Sequence, residues 1–248
     1  MVRQLEICVD SLQSALTAEE GGANRIELCS GLELGGLTPD PALFKLVKEK
    51  LSIPVFVLIR PRMGGFVYDH LDREVMGASI RYFKEMGADG LVLGALTDEG
   101  EVDQPLMQKF IQLASPLPVT FHRAFDQIPD PTNELPKLLE LGVKRILTSG
   151  QQAKAVLGLD LLRKINDLVE DKIIILAGGG VASQNVERLL NIGFNEVHAS
   201  ARISAKPENR ENSLSLSQGE ISDAYRFADL QEIITLRKIL DEYDTIST

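Results

Sequence analysis

Four times along the chain a helix-like stretch ends at glycine, and after two further residues a short apolar run begins. The copies are GANRIELC (22–29), GADGLVLG (87–94), GVKRILTS (142–149) and GFNEVHAS (193–200). A unit that recurs in this way restricts the chain to folds built by iteration. Glycine suits the junction because the residue closing a helix often takes a positive φ. Between the copies lie four more apolar runs, QLEICV (4–9), IPVFVLIR (53–60), LPVTFHRA (117–124) and KIIILAGG (172–179). Two of these carry Pro-Val near their start, where a strand tolerates proline.

The stretches between the eight runs read as helices. Leu161, Leu162, Ile165, Leu168 and Val169 share one helical stripe, as do Leu230, Ile233, Leu236 and Ile239. Start signals agree: Asp40 before Pro41, Asp103 before Pro105, Asp130 before Pro131, and Ser183 after a triple glycine. Strands alternating with helices imply parallel pairing. Eight such units in 248 residues imply one α/β domain over 1–248, a parallel eight-stranded (β/α)₈ TIM barrel. An open doubly wound sheet is the alternative, and the evenness of the repeat favours closure. One long polar stretch, ISAKPENRENSLSLSQGEIS (203–222), is expected as a loop between the eighth strand and the last helix.

With 26 basic against 36 acidic residues the net charge is −10, which argues against nucleic acid or an anionic membrane as partner. MVRQLEICVD carries no secretory pattern, and no window has the apolar length of a membrane span. The expected place is the cytoplasm. Cys8 and Cys29 are too few for a disulfide framework.

In a barrel alternate strand residues face the lumen, and functional groups gather at the carboxyl ends of the strands. Sorted by parity, Glu6, Cys8 and Asp10 share one face of the first strand, and Glu27 and Cys29 one face of the second. Arg60 and Arg62 share one face of the third strand against Val57 and Ile59, and His122 with Thr120 one face of the fifth. Thr148 belongs to the sixth, and Glu196, His198 and Ser200 to the eighth. This polar set is expected to converge on one mouth, either as a ligand site or as buried ion pairs holding the lumen together.

Arg60 and Arg62 offer paired donors suited to a carboxylate or phosphate; as a purely structural pair they would bridge to Glu6 and Glu27. His122, beside Arg123 and Asp126, is a candidate acid or base, as are Glu27 and Glu6. Gly178, Gly179 and Gly180 form a backbone cradle expected to lead into a helix and hold an anion. The partner these residues imply is a small anionic ligand. Cys8 and Cys29 hold matching places in EIC and ELC, and two neighbouring thiols suit a soft metal such as Cu(I). Barrel stagger decides whether they meet.

The pieces LEICVDS (5–11), RIELCSG (25–31), GGLTPD (35–40), IRPR (59–62), PVTFHRAFD (118–126), ILTSG (146–150) and EVHASAR (196–202) occur in an order that resembles the CutC family of copper homeostasis proteins. The resemblance implies a (β/α)₈ barrel, a cytoplasmic homo-oligomer and an association with copper, with Cys8 and Cys29 at the family's cysteine positions. It departs after the third strand, where Pro-Arg-Gly-Gly-Asp-Phe is replaced by Pro61-Arg62-Met63-Gly64-Gly65-Phe66, without that loop's carboxylate. Three activities stay open: copper handling, a lyase or isomerase acting on a small phosphorylated or carboxylated metabolite, and a non-catalytic ligand sensor.

Overall fold

The repeat glycines Gly22, Gly87, Gly142 and Gly193 all stand at positive φ, between 76° and 92°. In each case a strand begins three residues on. The computed structural model describes residues 3–204 and 226–246. Its strands β1 (Gln4–Val9), β2 (Arg25–Leu28), β3 (Val55–Leu58) and β4 (Gly90–Leu93) continue into β5 (Val119–Phe121), β6 (Arg145–Thr148), β7 (Ile174–Gly178) and β8 (Glu196–Ala199). They pair in parallel in chain order, and β8 returns to β1 to close the barrel. The expected TIM barrel is the fold.

Helices α1 (Leu12–Glu20), α2 (Pro41–Lys50), α3 (His70–Glu85) and α4 (Gln104–Ala114) cover the first half. The second half carries α5 (Pro131–Glu140), α6 (Leu159–Val169), α7 (Val186–Leu190) and α8 (Leu230–Ile246). Asp40 caps α2 by accepting the N–H groups of Ala42 and Leu43 at 2.8 and 3.1 Å, and Asp103 caps α4 through Leu106 at 3.1 Å. Asp130 instead accepts from its neighbours' side chains, Thr132 and Asn133. The helix expected directly after Ser183 starts at Val186 and runs for five residues. Ser183 is drawn elsewhere, giving its N–H and hydroxyl to Glu232 at 2.7 and 2.8 Å.

Parity separates two cores. Leu5, Ile7, Ile26, Val57 and Leu91 meet the helices in the larger one. Cys8, Cys29, Phe56, Leu58 and Val92 pack together in the lumen. Of the polar stretch expected at 203–222, Ile203 and Ser204 belong to a short strand β9 (Arg202–Ser204), which pairs antiparallel with β10 (Arg226–Ala228). The remainder of that loop lies outside the described residues. Among the described residues no helix is long and apolar enough to cross a membrane.

Candidate functional site

The amino-terminal half of the lumen is filled by charge. Arg25, the first residue of β2, pairs with Glu6 of β1 and with Glu196 of β8, the latter at 2.5 Å. Arg145, opening β6, approaches the same Glu196 at 2.9 Å. Both guanidinium groups lie over the ring of Phe56, 5.1 and 5.5 Å from its centroid. Burial alone would raise the Glu6 carboxyl, but Arg25 and His198 outweigh it and hold Glu6 down at about 2. Glu6 is thus a permanent anion that orients its neighbours, and its Oε1 lies 2.7 Å from Nδ1 of His198. Burial opposes a charge on that imidazole, yet the Glu6 bond and the nearby Glu27 raise its pKa.

Above this layer opens a cavity of about 230 Å³ at the carboxyl ends of the strands. Register places Cys8 beside Glu27, and the Cys8 thiol donates to Glu27 Oε1 at 3.5 Å. The two thiols meet: Cys8 Sγ and Cys29 Sγ stand 3.8 Å apart, while Cys29 Sγ also reaches the Val9 carbonyl. The contact with Cys29, then burial, push the Cys8 thiol well above its ordinary range. Burial likewise lifts Glu27 to about 7, against the pull of His198.

The facing wall is built by β3, β5 and β7. Arg60, half a turn past β3, donates Nη1 to the carbonyls of Leu34 and Gly36 at 3.1 and 2.9 Å and Nη2 to Gly64 at 2.8 Å. Phe66 lies between Arg60 and His122, 5.2 Å from the guanidinium carbon and 4.7 Å from the imidazole centroid. His122 accepts the N–H of Ala124 at Nδ1, 3.2 Å away, so its ring proton sits on Nε2. Burial, helped by Arg60, lowers its pKa to about 3, and the ring is neutral at physiological pH. Arg123 and Asp126 pair at 2.8 Å, and Asp126 also accepts from the Thr148 hydroxyl at 2.6 Å.

The cavity therefore unites Cys8, Glu27, Arg60, His122, Arg123 and His198, with Gly179, Gly180 and Ser200 on its rim. Gly178 lies outside the lining; a Cβ there would fall 2.5 Å from Leu147. Thr148 and Asp126 stand behind Arg123, and Glu6 behind His198. Arg62 points away, held by Asp72 at 2.8 Å and by the Val67 carbonyl at 2.9 Å. Neither arginine bridges to Glu6 or Glu27, because Arg25 already occupies Glu6. Arg25 was absent from the expected set although it shares strand parity with Glu27, and Phe66 arrives from a loop that parity does not govern.

Ligand atoms of Cys8, Glu27 and His198 all lie within 4.8 Å of one another. Metal bonds to such atoms run about 2.0–2.3 Å, so one ion fits between them. The chain matches the CutC family over residues 3–203.

The chain belongs to the CutC family.

Its CutC relatives include the mouse copper homeostasis protein cutC homolog, 45% identical over 240 residues, or 95% of this chain and 88% of that one. The human protein of the same description is 49% identical over 199 residues, covering 80% of this chain and 73% of that one. The crystal structure of a Streptococcus agalactiae chain described as a copper homeostasis protein CutC superposes with a TM-score of 0.77 at 30% identity, over 80% of this chain and 98% of that one. A thiamine phosphate pyrophosphorylase from Pyrococcus furiosus, at 17% identity and TM-score 0.57, shares the fold with this CutC chain.

Proposed function

We propose that this protein serves copper homeostasis in the cytoplasm by holding Cu(I) as cargo between Cys8 and Cys29, with His198 beside Cys8. The observation that carries the reading is the pair of free thiols 3.8 Å apart, with an imidazole and a carboxylate beside the first. Cu(I) favours soft thiolate ligands and accepts imidazole. The copper homeostasis names of the relatives support the same assignment. Glu6 supplies the outer hydrogen bond that fixes a ligating histidine in one orientation. The test is an anaerobic competition titration against a Cu(I) chelator. Cys8→Ser combined with Cys29→Ser should abolish tight binding; wild-type affinity in the double variant refutes the site.

The partner of this reading is a second copy of the chain. On the outer face of α3, Leu71, Val75, Ala78 and Tyr82 are exposed at spacings of four, three and four, and Met86 continues the stripe just past the helix. That is the seam spacing of paired helices. Among the described residues each of α1, α2, α5, α6 and α8 exposes one large hydrophobic side chain by comparison. Glu74 and Arg81 flank the seam, exposed and seven residues apart. In an antiparallel pairing about a two-fold near Gly77, Glu74 faces the partner's Arg81, and the contact occurs twice.

A further inference from the structure

The cavity holds unmet polar groups on residues other than the proposed copper ligands. Arg60 is buried, and among the described residues no carboxylate pairs with it. Its Nη groups are fixed on three carbonyls, which leaves Nε–H without a protein partner. His122, equally buried, has Nε2–H without a partner, and Glu27 has a free acceptor at Oε2. All three residues line the same cavity. Leaving one such buried group unmet costs about 1–3 kcal/mol, and an uncompensated buried charge costs more.

We propose that the cavity binds a small 2-hydroxycarboxylate, its carboxylate held by Arg60 and Arg123 and its hydroxyl placed between His122 Nε2–H and Glu27 Oε2.

The charge balance selects the class. Arg123 is neutralised by Asp126 and His198 is paired with Glu6, so among the described residues that line the cavity Arg60 is the cation left without a carboxylate, which matches a monoanion. A phosphate dianion would need a second. The donor that commonly supplies it, a helix amino terminus, is missing, since the glycine turn opens into a three-residue turn before the five-residue α7. Gly179 still matters for approach. It sits at φ 107°, and a Cβ there would stand 3.0 Å from Ser149 and 3.7 Å from the Arg123 guanidinium. A glycine at this point keeps Nη1 of Arg123 open to the cavity, because Nε and Nη2 are already spent on Asp126 and Ser149.

The hydroxyl is selected by the other two orphans. His122 offers a donor, and its ring stays neutral because burial disfavours a second proton. Glu27 Oε2 offers an acceptor. A hydroxyl satisfies one of each, whereas a ketone satisfies only the donor and a plain alkyl acid neither. The volume of about 230 Å³ lies below the roughly 300–1,000 Å³ of sites for drug-sized ligands, so the acid is short.

The experiment is isothermal titration of the full chain with glycolate, L-lactate, D-lactate, acetate, pyruvate and inorganic phosphate, each with and without a copper chelator. A 2-hydroxycarboxylate should bind at least tenfold more tightly than acetate, pyruvate or phosphate. His122→Phe should bring the hydroxy acid down to the acetate level. His122→Gln, whose amide N–H reaches a similar position, should restore much of the difference. Thermal midpoints measured alongside separate a lost donor from a lost fold. Cys29→Ser, at a residue outside the cavity lining, should keep hydroxy-acid binding while weakening Cu(I), so the two readings fail independently. Equal affinity for acetate and the hydroxy acids, stronger binding of phosphate, or unchanged binding in a folded His122→Phe overturns the proposal.

Discussion

Arg25→Met tests the charged layer beneath the site. The substitution keeps an apolar stem over Phe56 but withdraws the cation that Glu6 and Glu196 share. A carboxyl held at about 2 rather than 4.5 gains on the order of 3 kcal/mol, and Arg25 is the largest contributor to that lowering. One-sided loss of a buried pair costs roughly 3–5 kcal/mol by mutational experience. Glu196 retains Arg145, and Glu6 retains His198, which places the expectation at the lower end, about 3 kcal/mol. For a chain of 248 residues that is a fall of about 6–12 °C in melting midpoint. The pH dependence discriminates the cause. A lowered carboxyl contributes its stability above its unfolded value of 4.5 and loses it as pH falls toward 2. In Arg25→Met this contribution is already gone, so the gap between variant and wild type should shrink to less than half its neutral value by about pH 3. Urea denaturation of both proteins at pH 7 and pH 3 measures it. A gap that is constant over this range, or below about 1 kcal/mol at pH 7, refutes the reasoning.

Three further outcomes follow from the same geometry. His122 is held at about 3 from an ordinary 6.5, so its neutral burial stabilises fully above 6.5 and is lost as pH falls toward 3; between pH 7 and pH 4, His122→Phe should lose about 2–3 kcal/mol less than wild type in urea denaturation. Gly158→Ala would bring Cβ within 2.3 Å of the Ser149 carbonyl and 2.8 Å of the Gly150 carbonyl, and should cost about 1–3 kcal/mol by denaturant titration while loosening the Arg123 network. Val75→Glu with Tyr82→Glu on the α3 seam should yield a monomer by sedimentation where wild type associates, with the melting midpoint per chain little changed at high dilution; an unchanged oligomer places the interface elsewhere.

Much of this was legible in the chain because barrels obey period two. The Gly-ended junctions gave four strand starts directly, and parity alone put Glu6, Cys8, Glu27 and His198 in one lumen. The same rule reaches Arg25, two residues before Glu27, so its omission was a matter of where the strand was taken to begin. Parity stops working where the sheet stops. β3 ends at Leu58, and beyond it the chain turns, so Arg60 enters the cavity while Arg62 swings out to Asp72. The glycine turn failed for a related reason: Ser183 looked like a cap locally, but a glutamate 49 residues away holds both of its donors. No local pattern reveals that the two thiols meet at 3.8 Å, since barrel shear sets the stagger of β1 on β2.

The layer of Glu6, Arg25, Glu196 and Arg145 under Phe56 also decides traffic. Among the described residues it stoppers the barrel at one end, so the lumen there is a well entered from the carboxyl ends of the strands. Whatever arrives must leave by the way it came, and a second molecule waits until the first has gone. Residence time then rests with the rim, and under the proposed copper reading an acceptor of the ion must present itself at the same face as its donor.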